Sequence, residues 1–394
     1  MSGAPRRVFL HVGTPKSGTT YVQDLLWRNR VALRAAGVLY PGDRPDAQFL
    51  ATLDLLGRPF HGRVDPAQAG AWDRIAAEVR AWHGTSVLSH ELLAPAAPDT
   101  ARRARRSFGD AEVHIVCTAR DLARQVPAVW QEDIKNRGAL TFAEFSRSLR
   151  GVEDSADNYF ATTFWGYQDL PAVLSVWGET LPPDRVHVVP LPAGAPPDTL
   201  WRRLAGLLGV SPGVCPAEAD TRNPSVGVAE INLLRLLNKS GLVADFDWPN
   251  YKSLVKEFLT GDVLATRPDV TPLRLPAEDR HWVEQRSKQL VESLRAAGYH
   301  VAGDLSELLP AHAAGSDSPH PDQPRDDELL AASMYALAAT LHLVARERAA
   351  AGPPPTQTVR GVILERYGTN PVMRWLLRPY RRARALLRRI TGPR

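Results

Sequence analysis

The sequence predicts an α/β protein with three layers, a central parallel sheet between helices, followed by a helical C-terminal region. Three observations predict it. Short apolar runs at 8–12, 86–89, 112–118 and 185–189 alternate with segments of helical spacing, the pattern of successive βαβ units. The first run ends in a glycine turn that feeds a helix start. From about residue 196 onward the strand signals fade and helical spacing dominates.

The elements follow in chain order. The run at 8–12 reads as a buried parallel strand, broken at Gly13. Residues 19–36 read as an amphipathic helix closed by Gly37, and 37–42 as a short strand and turn. Residues 66–82 are helical, and 86–89 form the second buried strand, ending at His90-Glu91. A basic helix at 98–107 precedes a third strand that runs to Thr118, with Arg120 at its end. Residues 121–136 form a helix that Pro127 should kink, unless it lies near the start. Helical patterns recur at 141–150 and 168–180, before the strand at 185–189. Residues 197–209, 225–239, 249–264 and 276–297 all read as helices. The organisation is therefore a domain over 1–308, with its sheet core in 7–190 and a helical part in 196–305. A Pro-, Ser-, Asp- and His-rich linker covers 309–326, and a helical extension covers 327–394.

Composition narrows the partners. The 394 residues can bury one large core, and 44% hydrophobic with 23% charged residues is ordinary for a globular chain. The net charge of +5 suits an anionic nucleotide but is too small and diffuse for nucleic-acid binding. Cys117 and Cys215 give no disulfide framework, and no Cys/His set has metal-ligand spacing, so no metal is called for. There is no signal-peptide pattern before the first strand and no run of about twenty apolar residues, so no transmembrane helix is expected and the location implied is cytoplasmic.

Residues 7–23 carry the chemistry. A strand that turns through glycines into a helix N-terminus is an anion cradle, because the first helical N–H groups lack partners and the helix dipole is positive there. Gly13 and Gly18 keep the glycine spacing of a Walker A loop. The lysine does not: Thr19 stands where the Walker lysine would, and Lys16 precedes the second glycine. Ser17, Gly18, Thr19 and Thr20 crowd the same helix start.

The string Pro15-Lys16-Ser17-Gly18-Thr19-Thr20 resembles the 5′-phosphosulfate loop of sulfotransferases that use 3′-phosphoadenosine 5′-phosphosulfate (PAPS). The resemblance covers roughly residues 7–305 and implies a P-loop-type fold with the nucleotide at the carboxyl ends of the strands. It implies that Lys16 stabilises the leaving bridging oxygen, and that Ser17, Thr19 and Thr20 anchor phosphate oxygens. It implies that Arg120, at the end of the third strand, grips the 3′-phosphate. The serine that the family places eight residues later is Ala128 here, with Arg124 or Gln125 as substitutes one turn into the helix. The general base of the family lies after the second strand, where this chain offers His90 and Glu91 side by side; His90 is preferred because imidazole titrates near neutrality. Arg222, Asn223 and Ser225, in a late basic loop, are candidates to close over the nucleotide. His11 is expected to support the site rather than to react. Phe160, Phe164, Trp165, Tyr167 and Asp169 are candidates for an acceptor pocket, and Trp130, Gln131 and Lys135 for its acceptor side.

The function implied is transfer of a sulfuryl group from PAPS to a hydroxyl or amine of a small-molecule, carbohydrate or glycolipid acceptor. Two other readings stay open: an ATP-dependent P-loop small-molecule kinase, and a non-catalytic nucleotide-binding relative. Residues 372–394 are strongly basic, with Tyr380, Ala383, Leu387 and Ile390 on one helical face. They suggest a peripheral contact with anionic membrane, at the inner face if the chain is cytoplasmic.

Overall fold

The computed structural model describes residues 6–151, 159–219, 225–311 and 319–350. The sheet is six-stranded and parallel throughout: β1 (Arg7–His11), β2 (Val38–Leu39), β3 (Thr85–Ser89), β4 (Glu112–Ala119), β5 (Val186–Pro190) and β6 (His300–Val301), in spatial order β2-β3-β1-β4-β5-β6. His11 stands level with Ser89 on one side and Val116 on the other. The α/β class and the central parallel sheet are thus as the sequence predicts.

Strand alternation sends neighbouring residues to opposite faces, which makes three layers. Val8, Leu10, Leu88, Ile115, Cys117 and Val188 pack with Trp72, Ile75 and Trp177 on one face. Phe9, Val87, Val116 and Val189 pack with Leu25, Leu26, Trp201 and Leu204 on the other. The helices that supply these layers are α1 (Thr19–Arg28), α2 (Arg30–Ala35), α3 (Ala47–Leu56), α4 (Ala71–Ala81), α5 (Pro98–Arg106), α6 (Leu122–Lys135), α7 (Phe142–Leu149), α8 (Tyr159–Gln168), α9 (Leu170–Gly178) and α10 (Thr199–Leu208). Each large side chain buried this fully contributes about 2–3 kcal/mol.

Several elements differ from the sequence reading for identifiable reasons. The helix expected over 19–36 breaks at buried Asn29, whose side-chain amide donates to the Leu25 carbonyl at 2.9 Å and the Ala217 carbonyl at 2.8 Å and whose oxygen accepts the Ala217 N–H at 3.0 Å. The 66–82 segment is a 3₁₀ turn, Pro66–Gln68, followed by α4. Pro127 is the sixth of the fourteen residues of α6, with Asp121 as its N-cap, accepting the Arg124 N–H at 3.0 Å. The segment read as an α-helix over 249–264 is one turn, α12 (Trp248–Asn250), continued by a π-helix, Tyr251–Val263. α11 (Val228–Lys239) and α13 (Arg280–Ala297) form as expected. α3, with apolar residues on several faces, and the two-residue β6 give no clear periodic signal.

Part of the expected linker is tied down. Asp322 accepts the N–H groups of Phe142 and Ala143 at 2.6 and 2.8 Å, and Asn232 donates to the Pro321 carbonyl at 2.6 Å. α14 (Asp326–Ala350) follows. The chain divides into a unit ending at Tyr335 and a second beginning at Ala336, whose described part is the end of α14. By length and composition α14 is long and apolar enough to cross a membrane. The criterion of about twenty consecutive apolar residues does not select it, because its stretch without Asp, Glu, Lys or Arg, 329–345, is shorter and the helix extends into charged flanks. Residues 372–394 lie outside the described residues.

Candidate active site

A cleft of about 1820 Å³ opens at the carboxyl ends of β1 and β4. The strand order makes this a switch point: the chain leaves β1 towards β2 and β3, and leaves β4 towards β5, so the exits diverge. The loop after β1 is anchored to β4, with Thr14 N–H donating to the Thr118 carbonyl at 2.8 Å and Thr118 N–H to the Gly13 carbonyl at 2.7 Å. Gly18 caps α1 at φ 94°, in the left-handed region, where a Cβ would meet Leu200 Cδ2 at 2.5 Å. Only glycine fits there. Lys16 also has a positive φ, 65°, a conformation that costs a non-glycine residue of order 1–2 kcal/mol. α1 starts without a side-chain cap and without an acid in its first turn, and Gly18, Thr19 and Thr20 line the cleft. Its first N–H groups and its dipole therefore favour an anion there.

α6 forms one wall. Arg124, Ala128, Glu132 and Lys135 recur at three- or four-residue spacing on the face it turns to the cleft. Glu132 holds two lysines, Lys16 Nζ at 2.6 Å and Lys256 Nζ at 2.8 Å, the latter from the π-helix. Lys256 also donates to Asn136 Oδ1 at 2.8 Å. Burial alone would raise the Glu132 carboxyl; the charges of Lys16 and Lys256 and their hydrogen bonds overcome this and hold it at about 2. Burial lowers the Lys135 ammonium to about 8, with the Lys16 charge acting in the same sense. Burial likewise lowers Arg120 to about 10, with the Arg124 charge adding to it. A multiply charged anion in this cleft would relieve these strained cations.

Arg120 reaches the cleft, and its orientation is set by donation to Gln125 Oε1 at 2.8 Å and to the Arg124 carbonyl at 2.5 Å. Gln125 in turn donates to the Pro15 carbonyl of the loop and to Gln168 Oε1. The guanidinium is thus tied to the loop that carries Lys16. Arg124 donates to the Leu191 and Pro192 carbonyls and pairs with Asp121, so its fork is engaged in fixing the exit of β5.

The two base candidates differ in position. Glu91 lines the cleft and accepts from Gln23 Nε2 at 2.9 Å. Burial would raise its carboxyl, but neighbouring His90, its own backbone amide and Gln23 hold it below the usual range, so it is ionised at neutral pH. His90 is not among the cleft-lining residues; its Nδ1 accepts the Leu92 N–H at 3.2 Å and its ring packs against Phe49. A neutral imidazole that accepts at Nδ1 carries its proton on Nε2 and has no second lone pair to offer. Burial lowers the His90 imidazole further. Of the two, Glu91 lines the cleft and His90 does not.

Other expected residues fall as follows. Ser17 is fully buried and bonds the Thr14 carbonyl and Thr118 Oγ1, both at 2.6 Å, so its hydroxyl fixes the loop instead of facing the cleft. His11 bridges Ser89 Oγ at 2.7 Å and Thr118 Oγ1 at 3.0 Å, and burial lowers its imidazole to about 4, which suits a neutral supporting role. Ser225 lines the cleft, whereas Arg222 and Asn223 lie outside the described residues. Gln131 lines the cleft and donates to the Val226 carbonyl at 3.0 Å, while Trp130 is core, donating to the Leu140 carbonyl at 3.0 Å. Phe164 is buried against Phe145, Trp165 donates to the Leu149 carbonyl at 3.0 Å, and Tyr167 OH accepts from Arg58 at 3.2 Å. None of these three is among the cleft-lining residues. Glu132 and Lys256 were not among the expected site residues. The four-residue step from Arg124 through Ala128 would have found Glu132; Lys256, some 120 residues further along, carries no local signal.

Comparison with protein-family models, with curated proteins and with solved structures returned no match.

Proposed function

We propose that this chain is a PAPS-dependent sulfotransferase of P-loop type. One observation carries the reading: Lys16 and Arg120, given separate phosphate roles by the sequence resemblance, line one cleft and are tied together through Gln125 and the Pro15 carbonyl. In this reading the N-terminus of α1 and the loop hold the 5′-phosphosulfate, and Arg120 holds the 3′-phosphate with parallel hydrogen bonds. The acceptor oxygen attacks sulfur as the bond from sulfur to the 5′-phosphate oxygen breaks. Glu91 takes the acceptor proton, and Lys16 stabilises the negative charge that grows on the departing oxygen. The products are the sulfated acceptor and adenosine 3′,5′-bisphosphate. Lys16 shifts its ion pair from Glu132 to the donor as this charge appears, which leaves Lys256 to neutralise Glu132.

The assay is release of adenosine 3′,5′-bisphosphate from PAPS in the presence of hydroxyl and amine acceptors. Lys16→Ala is expected to abolish it, and Glu91→Gln to lower kcat roughly 100-fold or more. His90→Ala is expected to retain most of kcat. A collapse in His90→Ala with an active Glu91→Gln would return the base to His90. Tight bisphosphate binding with no turnover on any acceptor would favour the non-catalytic reading, and release of ADP from ATP the kinase.

A further inference from the structure

Gln23 stands on α1 between two parts of the site that lie some seventy residues apart in sequence. It follows Thr19 and Thr20 by a single helical turn, so it shares their face of the helix, roughly 5 Å further from the N-terminus. Thr19 and Thr20 line the cleft, and Gln23 does not. Val22, Leu25 and Leu26 on the same helix are buried in the core, which fixes α1 against the sheet. The Gln23 side-chain amide donates twice to the segment that leaves β3: to Glu91 Oε2 at 2.9 Å and to the Ser89 carbonyl at 3.3 Å. Both of its N–H groups are thus spent on the residues that carry Glu91 into the cleft.

The backbone of this segment is held from elsewhere. His90 N–H donates to the His11 carbonyl at 3.0 Å, and Ser89 N–H to Gln48 Oε1 at 2.7 Å. Gly13, where the anion loop begins, packs on residue 91: a Cβ there would stand 3.5 Å from the Glu91 Cα and carbonyl oxygen. These contacts fix where the Glu91 backbone lies but leave its side chain free to rotate, and the side chain that donates to its carboxylate is Gln23. A carboxylate withdrawn from water depends on such a donor. The ionisable groups whose charges act on Glu91 are His90 beside it, His11 on β1 and Tyr40 after β2, and Arg58 acts on His90 in turn. Burial lowers His11 to about 4 and raises the Tyr40 hydroxyl, so both are neutral near pH 7. We infer that Gln23 is a positioning residue, which aims the Glu91 carboxylate at the acceptor and ties it to the helix whose N-terminus holds the donor. The inference rests on the sulfotransferase reading proposed above.

The test uses the full chain with Gln23→Met, which keeps the length of the side chain without its donors, and Gln23→Lys, which returns a donor. A melting midpoint equal to wild type establishes that the variants are folded. The first readout is the Glu91 carboxyl carbon, labelled with carbon-13 and assigned with Glu91→Gln, titrated by NMR. Loss of a charge-assisted hydrogen bond in Gln23→Met is expected to weaken the Glu91 acid roughly tenfold, and Gln23→Lys to reverse this. The second readout is PAPS turnover. A base works when ionised, so the acid limb of kcat/KM is expected to move to higher pH by the same factor in Gln23→Met. kcat on the plateau is expected to fall roughly tenfold from lost aim, with adenosine 3′,5′-bisphosphate affinity unchanged. A carboxyl midpoint that Gln23→Met leaves in place overturns the inference, and so does an acid limb that stays put while the carboxyl moves. The carboxyl titration needs no turnover, so the two failures are distinguishable. A wild type that binds the donor and sulfates no acceptor, with the carboxyl moved as expected, overturns the sulfotransferase reading and leaves the hold of Gln23 on Glu91 supported.

Discussion

At the scale of single residues, Glu132 is the pivot of the cleft. It neutralises Lys16 and Lys256 at 2.6 and 2.8 Å, so it stabilises the cleft, and in the proposed function it would compete with the nucleotide for them. Glu132→Gln is therefore expected to lower the melting midpoint and yet tighten adenosine 3′,5′-bisphosphate roughly fivefold, the equivalent of about 1 kcal/mol. Weaker binding would mean that Glu132 instead holds Lys16 where the anion needs it. Lys135 gives a second expectation. Its ammonium is lowered to about 8 from an ordinary 10.5, so it is half deprotonated near pH 8. A bound anion stabilises the charged form and raises that value, so binding at pH 8 must take up protons and affinity must fall as pH rises through 8. Calorimetry in buffers of different ionisation enthalpy measures the uptake, and Lys135→Met should remove it. At this scale the sequence was most legible where chemistry is local. The order of lysine, serine and glycine in the loop gave Lys16, Gly18, Thr19 and Thr20 as cleft residues. It could not tell that the Ser17 hydroxyl turns inward to Thr118, because that partner lies about a hundred residues away.

At the scale of elements, the cleft depends on where β1 and β4 end and on the face that α6 presents. Both were legible, since apolar runs and helical spacing are short-range signals: the third strand ends before Arg120 and a helix follows, as read, and the structure adds Asp121 as its cap. The roof was not, because nothing local distinguishes a π-helix from an α-helix over Tyr251–Val263, and Lys256 enters from it. The opposite end of the sheet carries its own device. Glu112, His114, His187 and His300 form a hydrogen-bonded line across β4, β5 and β6, at 2.8, 2.9 and 3.0 Å. In each contact between two imidazoles one ring donates an N–H and the other must accept at an unprotonated nitrogen, and Phe9 stacks on His114 at 4.6 Å. Burial lowers His187 to about 3, and His114 and His300 add to this. A histidine whose folded value lies below its unfolded 6.5 contributes nothing adverse above 6.5 and destabilises progressively as pH falls below it. Urea unfolding is expected to lose about 2 kcal/mol between pH 6.5 and 5 from this residue. His187→Gln should flatten that slope; an unchanged slope would assign acid sensitivity elsewhere.

At the scale of the whole molecule, the parallel three-layer architecture followed from alternating strand and helix signals, and the order β2-β3-β1-β4-β5-β6 brings the loop and Arg120 together at the one edge where exits diverge. Sequence spacing cannot supply that order, since parallel neighbours are linked by long crossovers. The segment read as a linker is partly pinned by Asp322 on the start of α7, a contact between residues 180 apart. The central claim, a PAPS site formed by Lys16 and Arg120, is tested most directly by calorimetric titration with adenosine 3′,5′-bisphosphate, with ATP and AMP as controls. The account predicts selective binding of the bisphosphate by the wild type and its loss in both Lys16→Ala and Arg120→Ala. Binding of ATP as tight or tighter, or bisphosphate affinity indifferent to Arg120→Ala, would contradict it.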